Sequence, residues 1–134
     1  MVIWANSAEA FVDIPPSGFL EPPTAEPLSG SIATWTREIF SGQDGTTAAG
    51  YWQVGAGRSR WDFDYTEVIW VVDGEVTVTE DGGQPVRLSP GDVGVFPVGW
   101  KGEWDVPDGL KKFYVIFPGA CPSPSLRAVG VSAW

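Results

Sequence analysis

Lys112 and Tyr114 stand two residues apart in the run Lys111-Lys112-Phe113-Tyr114-Val115-Ile116-Phe117. On an extended chain, residues at that spacing point to the same side. An ammonium and a phenol on one face make a polar patch, suited to binding a small polar ligand or to moving a proton. Lysine is equally at home on a solvated rim, so both facings of Lys112 stay open at this stage. Trp52, Trp61, Trp70, Trp100 and Trp104 offer a second chemistry, flat indole faces on which a sugar ring or a heterocycle could stack. The commoner use of such residues is core filling, and that is the expectation for most of them.

Other chemistries are excluded by residue type. The chain contains no histidine, which removes the commonest metal ligand and the commonest general base together. Ser-His-Asp and Cys-His catalysis, and histidine-based zinc or iron sites, cannot be built within it. Asp62 and Asp64 flank Phe63, but on a strand they fall on the face opposite Trp61 and Phe63. Gly55-Ala56-Gly57-Arg58-Ser59 contains a Gly-x-Gly with no Gly-Lys-Ser/Thr behind it, which reads as a turn rather than a phosphate cradle. Cys121 lies between Ala120 and Pro122 with no activating base nearby in sequence.

The elements that must position these residues are short strands. Turn chemistry recurs at Ser41-Gly42-Gln43-Asp44-Gly45, Asp73-Gly74, Asp81-Gly82-Gly83, Ser89-Pro90-Gly91-Asp92 and Pro107-Asp108-Gly109. Between such turns lie eight to nine strand-sized segments by ordinary strand lengths, clearest at 68–72, 75–79, 93–96 and 113–117. The run Glu75-Val76-Thr77-Val78-Thr79 alternates polar and apolar, as a half-buried strand does. No segment sustains a helical period. Many short strands with regular turns predict an all-β sandwich, jelly roll or small barrel. Residues 1–31 carry Pro15-Pro16, Pro22-Pro23 and Pro27 and read as an extended arm on the outside of the domain or on a partner subunit. The barrel is expected over residues 32–117, and residues 118–134 read as a tail.

Composition agrees with one small folded domain. Hydrophobic residues make up 43% of the 134 residues, enough for a core. The 17 acidic against 8 basic residues give a formal net charge of −9, a field that disfavours phosphate backbones and anionic lipid. Nucleic acid and membrane are therefore not expected partners. One cysteine allows no intrachain disulfide, and the start Met1-Val2-Ile3-Trp4-Ala5-Asn6 lacks a basic run; a cytoplasmic setting is the expectation.

Residues 34–117 resemble the cupin superfamily. Its first motif (Gly, five residues, His-x-His, three or four residues, Glu, six residues, Gly) falls here on Gly55, Trp61, Phe63, Glu67 and Gly74. The glycines and the glutamate match, and aromatics replace both histidines. The second motif falls on Gly91, Pro97 and Gly99, with Gly102 where the third histidine would stand and Val106 where an asparagine would. The wording of Phe63-Asp64-Tyr65-Thr66-Glu67, Val72-Asp73-Gly74-Glu75-Val76 and Phe96-Pro97-Val98-Gly99-Trp100-Lys101-Gly102-Glu103-Trp104 is similar to the small cupins of the ureidoglycine aminohydrolase and ethanolamine-utilisation branch.

That resemblance implies a single-domain cupin, a double-stranded β-helix or jelly-roll barrel, with Glu67 facing the barrel mouth. Three of the four customary metal ligands are missing, so no metal and no cofactor are expected. A small-molecule ligand contacted by Trp61, Phe63, Glu67 and Trp104 is expected, joined by Lys112 and Tyr114 if their shared face is the lumen, and the resemblance implies a homodimer. Two functions follow. One is a metal-free cupin that binds a small polar or aromatic metabolite. The other is an enzyme, a hydrolase, isomerase or deaminase, that uses Glu67 with Lys112 or Tyr114 as acid and base. A third possibility is a purely structural or interaction module whose barrel is plugged by its own aromatics, with Glu67 doing no more than tie strands together. One fold hosts many chemistries, so the resemblance by itself decides between none of these.

Overall fold

A computed structural model describes residues 1–119 of the chain. Cys121 and the tail from residue 120 onward lie outside the described residues. The chain opens with one helical turn, α1 (Ser7–Ala10), and continues as β1 (Pro16–Phe19), β2 (Ala25–Pro27), β3 (Ala33–Ser41), β4 (Ala48–Val54), β5 (Gly57–Asp62), β6 (Thr66–Gly74), β7 (Val76–Glu80), β8 (Val86–Leu88), β9 (Val93–Phe96), β10 (Lys101–Val106) and β11 (Leu110–Phe117). Nine of these strands lie beyond residue 32, in line with the eight to nine expected.

The strands form two sheets, one in the order β1-β3-β4-β11-β6-β9 and one in the order β2-β5-β10-β7-β8. Every pairing is antiparallel. The chain is all-β, and two sheets sharing a core make it a jelly roll. Gly74 between β6 and β7 has φ +77°, the left-handed backbone that glycine adopts without a Cβ penalty. That turn carries the chain from one sheet to the other.

The core is built from alternate residues of both sheets. On β6 the inward set is Glu67, Ile69 and Val71, all buried, while Trp70 is exposed. On β11 it is Leu110, Lys112 and Tyr114. Period-two alternation thus places two charged residues on the apolar side. Trp61, Phe63, Phe96 and Trp104 stack through the middle: Trp61 lies 4.4 Å from Trp104 and 5.3 Å from Phe63, which lies 5.3 Å from Phe96. These rings fill much of the barrel interior.

The proline-rich arm is more than an outer wrapping. Pro16, which has no N–H to give, starts a strand at the edge of one sheet, where a missing donor is tolerated. Its strand β1 pairs with β3, and β2 pairs with β5 at the edge of the other sheet. Helix α1, which the sequence pattern did not show, packs on the outer face of the first sheet, where Ala10 and Ile14 meet Tyr51. Arg37 holds it there, donating from Nε to the Ala10 carbonyl at 2.9 Å and from Nη2 to that of Val12 at 3.0 Å. Among the described residues no helix is long and apolar enough to cross a membrane.

Candidate functional site

A cavity of about 360 Å³ opens where the two arm strands cross the mouth of the barrel. That volume falls in the range that holds a small ligand. Its inner wall is Trp52, Trp61, Tyr65, Glu67, Lys112 and Tyr114, and the arm supplies Ser17, Phe19, Leu20, Glu21, Thr24 and Ala25. Register explains the grouping. Lys112 pairs with Trp52 of β4, and Tyr114 pairs with Gly50. On the other side Ile116 pairs with Glu67 of β6. Three neighbouring strands therefore bring an ammonium, a phenol, a carboxylate and an indole to one face. Gly50 leaves the room that Tyr114 needs, since a Cβ there would stand 3.1 Å from the phenol oxygen and 2.8 Å from Glu38 Cα.

At the deep end Lys112 donates from Nζ to Glu67 Oε2 at 2.9 Å. Both side chains are buried, with 2% and 6% of their surface exposed. Burial pushes the Lys112 pKa down, and the charge and hydrogen bond of Glu67 pull it partly back. The other carboxylate oxygen, Glu67 Oε1, is buried without a hydrogen-bond partner among the described residues. An acceptor left so costs about 1–3 kcal/mol, more when charged. Tyr114 is pushed up to about 12, first by burial and then by the charges of Glu38 and Glu67. Tyr65 is pushed up further still, mainly by burial. Both phenols are therefore neutral donors at ordinary pH. The arm side is lined with hydroxyls: Ser17 and Thr34 share a hydrogen bond at 2.9 Å, and Thr36 donates to Ser17 at 2.9 Å.

Of the residues expected at a ligand, Trp61, Glu67, Lys112 and Tyr114 line this cavity. Phe63 and Trp104 do not. Each is 1% exposed and belongs to the aromatic stack behind it, because both are needed to fill the space between the sheets. The open facing of Lys112 resolves inward. Sequence reasoning passed over Tyr65, Thr34, Thr36 and the whole arm wall. Trp52, one of the indoles offered for stacking by residue type, also lines the cavity, on a strand that borders β11.

The superfamily's metal site is not reproduced. Trp61 and Phe63 stand where the resemblance places two histidines, and Trp61 gives its indole N–H to Ser59 at 2.9 Å. At the third position, Gly102, a Cβ would lie 2.6 Å from Trp100 Cη2, so no side chain fits without moving that ring. Among the described residues no group of three His, Cys, Asp or Glu comes together as ligands. One carboxylate already paired to an ammonium does not fit a transition metal.

The model of the EutQ-like cupin domain matches residues 41–114, more than half of the sequence. The chain belongs to the EutQ-like cupin family. Among relatives of this EutQ-like cupin, the acetate kinase EutQ of Clostridioides difficile (strain 630) is 27% identical over 89 residues, 66% of this chain and 56% of that protein. The chain thus spans just over half the length of that curated relative. The solved C. difficile EutQ structure superposes with a TM-score of 0.57 at 26% identity, covering 65% of this chain and 69% of the other. The EutQ ethanolamine utilization protein of Salmonella typhimurium LT2 gives 0.56 at 27% identity, over 68% and 72% of the two chains. A DUF861-family protein of Pseudomonas syringae pv. tomato gives 0.69 at 19% identity, over 80% and 45%, which bears on the fold alone.

Proposed function

We propose that this EutQ-like cupin binds a small, uncharged, hydrogen-bond-donating molecule in the cavity at the barrel mouth. The observation that carries the reading is Glu67 Oε1, a buried acceptor without a partner among the described residues, on a side chain that lines a ligand-sized cavity. A ligand N–H or O–H would satisfy it. The hydroxyls of Ser17, Thr34, Thr36 and Tyr114 offer further partners, and Trp52 and Trp61 offer flat apolar surface. Charge also argues for a neutral guest. Lys112 is the one cation among the lining residues and is neutralised by Glu67, while Glu21 adds a negative charge at the rim. A phosphate or carboxylate ligand, as the name of the C. difficile relative would suggest, finds no unpaired cation here.

The acid–base reading has less support. Lys112 is committed to Glu67, and a phenol pushed up to about 12 gives up its proton poorly near neutrality. The test is a thermal-shift and calorimetric panel of neutral polyols, amides and ureas beside carboxylates and phosphates of equal size. Neutral members are expected to bind, with at least tenfold loss in Glu67→Gln, whose amide nitrogen or oxygen cannot reproduce both contacts of the carboxylate. Binding confined to the anionic members would overturn the reading.

A further inference from the structure

We infer that the barrel contains a preformed receptacle for a cation, and that Lys112 fills it from within. This goes beyond the neutral-ligand reading and shares with it only the Lys112–Glu67 hydrogen bond.

The Lys112 Nζ lies 4.2 Å from the ring centre of Trp52, 4.7 Å from that of Trp104 and 5.8 Å from that of Trp61. All three distances are within reach of a cation–π attraction. Glu67 Oε2 closes a further side at 2.9 Å. Three indoles and a carboxylate around one ammonium are the parts of an aromatic cage, the device that proteins use to hold organic cations. Each wall has a separate reason to stay in place. Trp61 is stacked on Trp104 and bonded to Ser59. Trp52 meets Trp61 edge-on at 6.2 Å. Glu67 sits on β6, which is paired on both sides, by β11 and by β9. The cage thus does not depend on Lys112 for its shape. It depends on Lys112 for its charge balance.

Register shows how the lysine reaches it. The β11–β6 pairing is regular from Lys112 to Phe117 and shifts between Lys111 and Lys112. The extra residue is Val72 on β6, so the alternation of β11 runs unbroken and sets consecutive lysines on opposite faces. Lys112 turns inward, 2% exposed, and Lys111 stays on the other face over the Phe11 ring at 5.4 Å. Lys112 is accordingly a specificity residue. Its own ammonium holds the seat and keeps free cations out.

The consequence is chemical complementation. Lys112→Ala removes three methylenes and the ammonium, the equivalent of n-propylammonium. That probe should enter the vacated seat, and 1-propanol, its neutral counterpart, should not. In Lys112→Ala, n-propylammonium chloride is expected to raise the melting temperature saturably and to bind at least tenfold more tightly than 1-propanol. The wild type, and Lys112→Met, which refills the space without charge, should show no saturable response. Should Lys112→Ala not fold alone, the same pair of probes is added during refolding, and near-UV circular dichroism should recover with the amine only. Equal effects of amine and alcohol, no effect of either in both formats, or amine binding by Lys112→Met would each overturn the inference. None of these outcomes touches the neutral-ligand panel, so the two proposals fail separately.

Discussion

Lys112 Nζ and Glu67 Oε2 lie 2.9 Å apart on neighbouring strands of one sheet, inside the apolar face, each almost wholly shut off from solvent. A buried pair of this kind is expensive to break from one side only. Removing either partner leaves the other as an uncompensated charge, whereas replacing both leaves none.

A double-mutant cycle exposes this. Glu67→Gln and Lys112→Met should each lower stability in urea unfolding by about 3–5 kcal/mol. The double variant should lose markedly less than the sum of the singles, since residues in direct contact couple. Additive losses would mean that the two groups do not share their charge.

Alkaline stability should carry two opposed signatures. Tyr114 is raised from its ordinary 10.0 to about 12, so the unfolded chain loses that phenolic proton first. Its contribution is fully present below pH 10.0 and is lost as pH rises through about 12. Lys112 is lowered from 10.5 by burial, so between its folded value and 10.5 the unfolded chain holds the extra proton, and stability rises with pH there. Urea midpoints measured from pH 8 to 12 should fall less in Tyr114→Phe, the remaining fall coming from Tyr65, whose pKa burial also raises, and should lose the rise in Lys112→Met.

Gly102→Ala should destabilise by about 1–3 kcal/mol, the usual cost of overpacking. Its Cβ would meet the Thr79 carbonyl and the Trp100 ring. Gly102→His should cost more and gain no zinc affinity, as read by calorimetry, because the added ring has no space and Glu67 is already paired. Stoichiometric zinc uptake by this variant would contradict both points.

Deleting residues 1–31 should open the cavity and expose its indoles. The arm forms β1 and β2 at the sheet edges and supplies Phe19, Leu20, Thr24 and Ala25 to the wall before Trp52 and Trp61. Tryptophan emission should shift to the red and become more accessible to acrylamide. Unchanged quenching would show that the arm is not part of the site.

Much of this architecture is legible in residue order. The alternation of 75–79, the turns at Asp73-Gly74 and Pro90-Gly91, and the absence of a helical period all report on local backbone, and strands β7, β9 and β11 lie where those signals put them. The missing histidines likewise exclude whole classes of chemistry without any coordinates. The proline-rich arm is harder to place, since its strands are edge strands whose pairing is set by distant partners rather than by their own pattern.

The site divides along the same line. Spacing alone put Lys112 and Tyr114 on one face, and the resemblance picked out Glu67 and Trp61. Which face was lumenal, and that Lys112 spends its charge on Glu67 between three indoles, depended on the register of β4 and β6 against β11. Phe63 and Trp104 stood at motif-like positions yet belong to the stack behind the cavity, because packing between sheets claims large rings before a ligand can. The sequence by itself determined which groups were present and how each strand alternates, because both are properties of neighbouring residues. Only the tertiary structure decided which groups meet, because contact between strands separated by 45 residues, as for Glu67 and Lys112, is fixed by pairing register and by what the shared interior has room to hold.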